Sequence, residues 1–309
     1  MLPGKLVVQD KLALVTGASQ GLGLELAEKL YNKGCSVILV ARREAVIKKE
    51  AERIKSNHGK FSNTIDYIAC DVSDYKQCQE MWASMAQDGK DPDFIFNCVG
   101  GSVCKLFTEL SGDELSLGIN TNYTATLFPI HAGIKQVLGD NQSKSRKEFK
   151  HRHIVIFSSV AGVYPLIGYS QYAPLKAALM ALSLNLRQEL TAYNYRVSCI
   201  FPGNFDSEGY REEERTKPSI TKKIEGSSVA ITTSKAADMI LRDLDRGYDV
   251  SYTDSIGWIL SSASLGTNPR YWSVLQIIVS FLFSIIAPFA SMVVDRDIEG
   301  YFKEKDKED

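Results

Sequence analysis

Residues 12–23 constrain this chain more than any other stretch. An apolar run at residues 12–15 passes at once into Thr16, Gly17, Ala18, Ser19, Gln20, Gly21, Leu22 and Gly23, and Leu22, Leu26 and Leu30 then recur at helical spacing. Strand, glycine turn and helix follow one another without spacer. The glycines let the backbone pass close to a phosphate, and the free amides of the helix start, with the helix dipole, favour negative charge. A plain tight turn would also use glycine, but this one sits between a strand and an amphipathic helix.

The pattern continues. Residues 37–40, 65–69, 94–97, 154–157 and 197–201 read as further buried strands, with no internal repeat among them. Six βα-type steps in order predict an α/β fold with a doubly wound parallel sheet, Rossmann-like, binding its ligand beyond the carboxyl ends of the strands. The glycine spacing, Thr-Gly-x-x-x-Gly-x-Gly, differs from the usual Gly-x-Gly-x-x-Gly of that fold. A length of 309 residues suits one such domain with an appendage. A formal net charge of -1 gives no reason to expect nucleic acid as a partner. His58, His131, His151 and His153 form no site pattern and no Cys/His cluster has ligand spacing, so no metal is expected. Cys35, Cys70, Cys78, Cys98, Cys104 and Cys199 lack paired spacing and read as reduced core thiols.

Several residues then stand out at strand ends. After the second strand, where an acid would bind the ribose of NAD, the chain has Arg42 and Arg43, which favours NADPH: a guanidinium fork pairs with the 2′-phosphate. Asp71, before Val72, either accepts from an adenine amine or caps a helix at residues 74–88. Asn97 to Gly100 turn tightly after the fourth strand. Ser111 and Glu114 make a capping box that opens a long helix, with Asn120 and Asn122 in its middle where asparagine is unfavourable, so one of them should have another job. Pro129 should kink that helix, and residues 139–152 read as a solvated loop. Ser158 and Ser159 end the fifth strand on opposite faces, so only one hydroxyl can address a site. Tyr172 and Lys176 share one helical face, and Pro174 is tolerated in a first turn. The ammonium should then lower the phenol from about 10 by about two to three units.

Jointly these motifs resemble the short-chain dehydrogenase/reductase family over about residues 8–255. The matching residues are Thr16 to Gly23, Asn97 and Gly100, Ser159, Tyr172 with Lys176, and Pro202-Gly203. Residues 122–126 (Asn-Tyr-Thr-Ala-Thr) sit like the family's Asn-x-x-Gly-x, which favours Asn122 over Asn120, whereas Cys98 and Val99 depart from the common Asn-Asn-Ala-Gly. The resemblance implies NADPH held by Gly17, Ser19, Gln20, Gly21 and Gly23, by Arg42, Asp71, Val72, Asn97 and Gly100, and by Pro202, Gly203 and Ser207. It also implies that Ser159 holds a carbonyl oxygen, that Tyr172 donates a proton, that Lys176 stabilises tyrosinate and binds the nicotinamide ribose, and that Asn122 holds a relay water.

Residues 157–159, 164–174, 201–209, 216–218 and 224–226 further resemble the fungal 3-ketodihydrosphingosine reductases. This implies reduction of 3-ketosphinganine, a long-chain sphingoid-base ketone, to sphinganine at the endoplasmic reticulum. The charged stretch at about 206–230 is then a substrate lid, whose Glu208 is a candidate to face the amine. Residues 271–294 are 24 in number and carry no charge, about 36 Å as a helix and enough to span a bilayer. Ser273, Ser280, Ser284, Ala287 and Ser291 form a small-residue stripe, Pro288 argues against a straight rod, and residues 255–265 are a second membrane-contacting piece. We therefore divide the chain into a catalytic domain, 1–255, and a membrane-associated segment, 256–309. Because no leader precedes Met1, the catalytic domain should face the cytosol. The family also implies a homo-oligomer paired through the helices carrying Asn122 and Tyr172. Rival readings are a membrane-bound reductase of a 3-ketoacyl-CoA, a steroid or retinal, and a non-catalytic NADPH-binding membrane scaffold.

Overall fold

The computed structural model describes residues 6–57, 62–142, 144–226, 230–262 and 274–308. Its centre is a parallel sheet built from β1 (Leu12–Thr16), β2 (Ser36–Ala41), β3 (Ile65–Ala69), β4 (Phe94–Asn97), β5 (Arg152–Phe157) and β6 (Tyr195–Phe201). The short pair β7 (Phe205–Asp206) and β8 (Ile231–Thr232) stands apart, and β9 (Val250–Tyr252) adds a seventh parallel strand to the main sheet. The order is β3-β2-β1-β4-β5-β6-β9. The chain winds outward from β1 to β3 and then returns to lay β4 on the other side of β1. Thr16 of β1 is thereby flanked by Val40 and by Asn97. That reversal opens the crevice where such sheets bind ligands.

Alternation along each strand divides the core between the two faces of the sheet. Val15, Leu39, Phe96 and Phe157 pack with helices α1 (Gly21–Asn32), α2 (Glu44–Asn57) and, late in the chain, Thr233–Asp245. Leu14, Ile38, Ile95 and Ile156 pack on the opposite face with α3 (Tyr75–Gln87) and residues of later helices. Each such side chain, once fully buried, contributes about 1.5–3 kcal/mol. The cap of α3 is Asp74, which accepts from the amides of Lys76 and Gln77; Asp71 instead accepts from the amide and hydroxyl of Ser73.

The helix expected through Asn120 and Asn122 is continuous, but it carries a π turn at those residues. The capping box at Ser111 and Glu114 starts α4 (Gly112–Ile119), a π turn occupies Asn120–Thr124, and α5 (Ala125–Asp140) follows. The irregularity thus precedes Pro129, and α5 runs on through it. Pro129 has no amide to pair, and its carbonyl instead accepts from the indole of Trp82 on α3 at 2.8 Å. Next come α6 (Ala173–Leu190), α7 (Glu208–Thr216), α8 (Ser219–Glu225), α9 (Thr233–Asp245), α10 (Ser255–Ser261) and α11 (Val274–Glu308). The charged excursion of α7 and α8 leaves the body between β7 and β8, whose pairing of Phe205 with Ile231 ties its two ends together.

Helix α11 continues through Pro288 without a break and contains the one stretch, among the described residues, long and apolar enough to cross a membrane by length and composition. The expected positions 271–273 and 263–265 lie outside the described residues. Of the small-residue stripe, Ser280 and Ala287 are half-buried, whereas Ser284 and Ser291 are exposed. The helix packs on α8 and α10, with Lys223 bonded to Asp297 and Lys305 to Glu109, each at 2.8 Å.

The glycine turn closes on itself at backbone distance. Gly17 has φ +69, and a Cβ on Gly23 would lie 2.5 Å from the Gly17 carbonyl oxygen. Neither neighbour is a side chain that can swing away. Gly23→Ala should therefore destabilise the protein by about 1–3 kcal/mol, read as a lowered midpoint in urea unfolding; an unchanged midpoint would show that the turn can open.

Candidate active site

A cleft of about 1010 Å³ lies over the carboxyl ends of β1, β4, β5 and β6. At its first wall Ser19, Gln20 and Gly21 open α1. Gln20 is the N-cap and supplies no side-chain acceptor, so the first amides of α1 are left for a ligand. Arg42 and Arg43 stand at the mouth, where Arg43 is held by the Gln20 side chain at 3.0 Å. Asp71 and Val72 border the same end, and Gly100, Pro202, Gly203 and Ser207 border the middle. An uncapped helix start, two exposed guanidiniums and glycines tight against backbone fit a dinucleotide carrying a third phosphate.

Three expected residues, Asn97, Asn122 and Gly23, do not line the cleft. Asn97 is fully buried, and its Oδ1 finds no hydrogen-bond partner. Asn122 is also fully buried: its Nδ2 donates to the carbonyls of Gly101 at 2.7 Å and Gly118 at 3.3 Å, and its Oδ1 accepts from the Gly101 amide at 3.1 Å. The π turn aims this side chain inward, whereas Asn120 is exposed. Asn122 thus fixes the Gly100–Gly101 turn, which in turn lies against the lysine: a Cβ on Gly100 would be 2.9 Å from Lys176 Nζ. Gly23 stands behind the glycine turn, as described.

Around the reaction centre, the end of β5 and the start of α6 are stapled together. Ser158 is buried and donates to the Lys176 carbonyl at 2.7 Å, while Lys176 Nζ donates to the Phe157 carbonyl at 2.9 Å. Ser159, pointing the other way, hydrogen-bonds the Tyr172 hydroxyl and accepts from the Ala161 amide at 3.2 Å. Tyr172 is the N-cap of α6, with Pro174 in the first turn where a missing amide costs nothing. Gly162, which the sequence reading passed over, lets the turn after Ser159 cross α6: its Cβ would stand 2.8 Å from the Lys176 carbonyl carbon.

Electrostatics depart from the expectation at Tyr172. Burial raises the phenol above its ordinary value, the Ser159 hydrogen bond opposes this, and the Glu213 carboxylate adds to it. The Lys176 ammonium, over the tyrosine ring at 5.4 Å from the centroid and bonded to a backbone carbonyl, does not offset that burial. Tyr172 is therefore a neutral acid at pH 7. Burial pushes Lys176 down to about 8.

The lid supplies residues that no local pattern announces. Glu208 is exposed on the first turn of α7, and the acids of the lid that border the cleft are Glu213 and Glu225. The Tyr169 hydroxyl lies 2.6 Å from a carboxylate oxygen of each, and Ser102 bonds Glu213. Lys217, its side chain fully buried, bridges Glu213 at 3.0 Å, Glu214 at 2.5 Å and Glu225 at 2.8 Å. Those carboxylates overcome burial and hold Lys217 above its ordinary value. Cys98, expected in the core, is half-buried in the cleft wall. Phe283, Ala287, Ala290 and Val294 of α11, with Ile256 and Leu260 of α10, complete the cleft at its apolar end.

Comparison with known proteins agrees with this geometry. The short chain dehydrogenase family model matches residues 11–218. The 3-ketodihydrosphingosine reductase of Debaryomyces hansenii is 54% identical over 300 residues, covering 97% of this chain and 92% of the relative. That of Saccharomyces cerevisiae is 37% identical over 326 residues and covers 98% of both. Among solved structures, L-sorbose reductase from Gluconobacter frateurii, complexed with NADPH and L-sorbose, matches with a TM-score of 0.65 at 21% identity, covering 82% of this chain and 96% of that one; it supports the fold.

The Lys176 value has a consequence for nucleotide binding. Lysine is cationic below its pKa, so the Lys176 ammonium beside the cleft, expected to bind the nicotinamide ribose, is present below about pH 8 and lost above it. The dissociation constant for NADPH, followed by fluorescence, should rise by up to about tenfold from pH 7 to pH 9, and Lys176→Met should flatten that rise. An equally steep profile in the variant would assign the dependence to another group.

Proposed function

The chain belongs to the short-chain dehydrogenase family, and from that membership we infer that it is an NADPH-dependent reductase of 3-ketodihydrosphingosine, yielding the corresponding 3-hydroxy sphingoid base. The observation that carries this reading is the Ser159–Tyr172 hydrogen bond beside Lys176 in a cleft whose far wall is the apolar face of α11. NADPH, when bound, supplies the hydride taken up by the ketone carbon. Its phosphates fit the amides that open α1 and, for the 2′-phosphate, Arg42.

The chain's own residues do the rest. Ser159 holds the carbonyl oxygen, and Tyr172, kept protonated by its burial, passes its proton to that oxygen as negative charge develops there. Lys176, fixed by the Phe157 carbonyl, offers positive charge to the tyrosinate left behind. Asn122 acts through the Gly100–Gly101 turn by keeping the backbone against Lys176. We assign Glu213 and Glu225 to the substrate's amine, since carboxylates on the cleft wall complement an ammonium one carbon from the reacting ketone. The same acids disfavour the phosphates of a CoA thioester.

We place the enzyme on the endoplasmic reticulum membrane with its catalytic domain in the cytosol, and expect homo-oligomers. The apolar length of α11 supports membrane association.

Two measurements test this function. Tyr172→Phe should keep NADPH affinity within about threefold and lower turnover by about 10²–10⁴-fold; turnover at the wild-type rate would remove Tyr172 from the mechanism. Purified protein in detergent, offered 3-ketosphinganine, a 3-ketoacyl-CoA and a steroid ketone in turn, should oxidise NADPH fastest with the first. Preference for either of the others would overturn the substrate assignment.

A further inference from the structure

Helix α11 is not apolar in a uniform way. Phe281, Leu282, Ile285, Ile286, Phe289 and Met292 are between 49% and 67% exposed. Phe283, Ala287 and Val294, by contrast, are half-buried, and with Ala290 they recur at i, i+4, i+7 and i+11 along one face. That face closes the catalytic cleft, the same cavity that holds Ser159 and Tyr172. Ile256 and Leu260 of α10 stand beside it, so the cleft is polar at the lid acids and apolar at its far end.

The orientation of the helix is fixed from outside the apolar run. Lys223 on α8 bonds Asp297, and Lys305 bonds Glu109 near the start of α4, each at 2.8 Å. Each exposed pair is weak on its own, and α11 also packs on α8 and α10. Two small residues, Ala287 and Ala290, stand on the stretch of the helix that lines the cleft.

We propose that the inner face of α11, namely Phe283, Ala287, Ala290 and Val294, together with Ile256 and Leu260, is the binding site for the substrate's alkyl chain. The outer face of the same helix lies in lipid, so a membrane-borne ketone reaches Tyr172 by sliding its chain along α11 from the bilayer into the cleft. The helix is then a wall of the active site as well as a membrane element. This inference rests on the reductase reading above and names the residues that measure chain length. Each methylene transferred from water to this wall tightens binding about fourfold, so selectivity for long chains follows from the wall's extent.

The test uses the full chain in detergent with NADPH and two 2-amino-3-ketones, one with a long alkyl chain and one truncated to about six carbons. Ala287→Trp fills the channel, and kcat/KM for the long ketone should fall at least about tenfold further than for the short one. Phe283→Ala, which removes wall area without adding bulk, should raise KM for the long ketone more than for the short one. Ile285→Trp on the outer face should leave both ketones as in the wild type. Equal losses on the two ketones in both inner-face variants, or an effect of Ile285→Trp matching that of Ala287→Trp, would overturn the channel while leaving the reductase reading intact. A wild-type protein inactive on the long ketone would overturn both.

Discussion

The catalytic arrangement depends on how the end of β5 is joined to the start of α6. Two hydrogen bonds make the joint, Ser158 to the Lys176 carbonyl and Lys176 Nζ to the Phe157 carbonyl, and both are buried. A buried donor left without a partner costs about 1–3 kcal/mol, more if charged, so the ammonium cannot wander. Because Ser158 faces the joint, Ser159 must face the cleft, and it meets Tyr172 at the N-cap of α6. Gly162 permits the crossing at backbone distance. The hydrogen bond between Ser159 and Tyr172 is thus a consequence of strand alternation and one buried lysine.

Around that joint the cleft grades from charged to apolar. Lys217 gathers Glu213, Glu214 and Glu225 into a buried network, and Tyr169 adds its hydroxyl between two of the carboxylates. Removing one member of such a network leaves an uncompensated charge, which makes the lid rigid where it borders the cleft. At the other end α10 and α11 contribute mainly apolar side chains. An amphipathic ligand is therefore held in one direction only, with its polar head toward Tyr172.

Much of this was legible along the chain. Strands β1 to β6 follow from local apolar runs, and the turn from Thr16 to Gly23 declares itself by the glycines it needs. Ser159, Tyr172 and Lys176 are legible because their geometry depends on strand alternation and helical spacing. Other features needed the structure to choose where two local explanations competed. Asp71 reads either as an adenine partner or as a helix cap, and the cap of α3 proves to be Asp74. Asn120 and Asn122 are equally unfavourable inside a helix; the π turn buries one and exposes the other. The tyrosine and lysine were expected to act on each other through space, but the Phe157 carbonyl draws the ammonium over the ring, and burial sets the sign at Tyr172.

The sequence by itself determined the doubly wound sheet, the glycine turn, the arginines beyond β2, the Ser-Tyr-Lys set and an apolar C-terminal helix. Periodicity, turn chemistry and charge act over a few residues, and a chain displays them in order. Only the tertiary structure decided that Glu213 and Glu225, rather than Glu208, border the cleft, and that one face of α11 closes it. Those contacts join residues far apart in the chain, from 44 positions between Tyr169 and Glu213 to 196 between Glu109 and Lys305. They exist because the lid and the last helix pack against the sheet's carboxyl edge, and no local pattern records which face of a helix will meet a distant cavity.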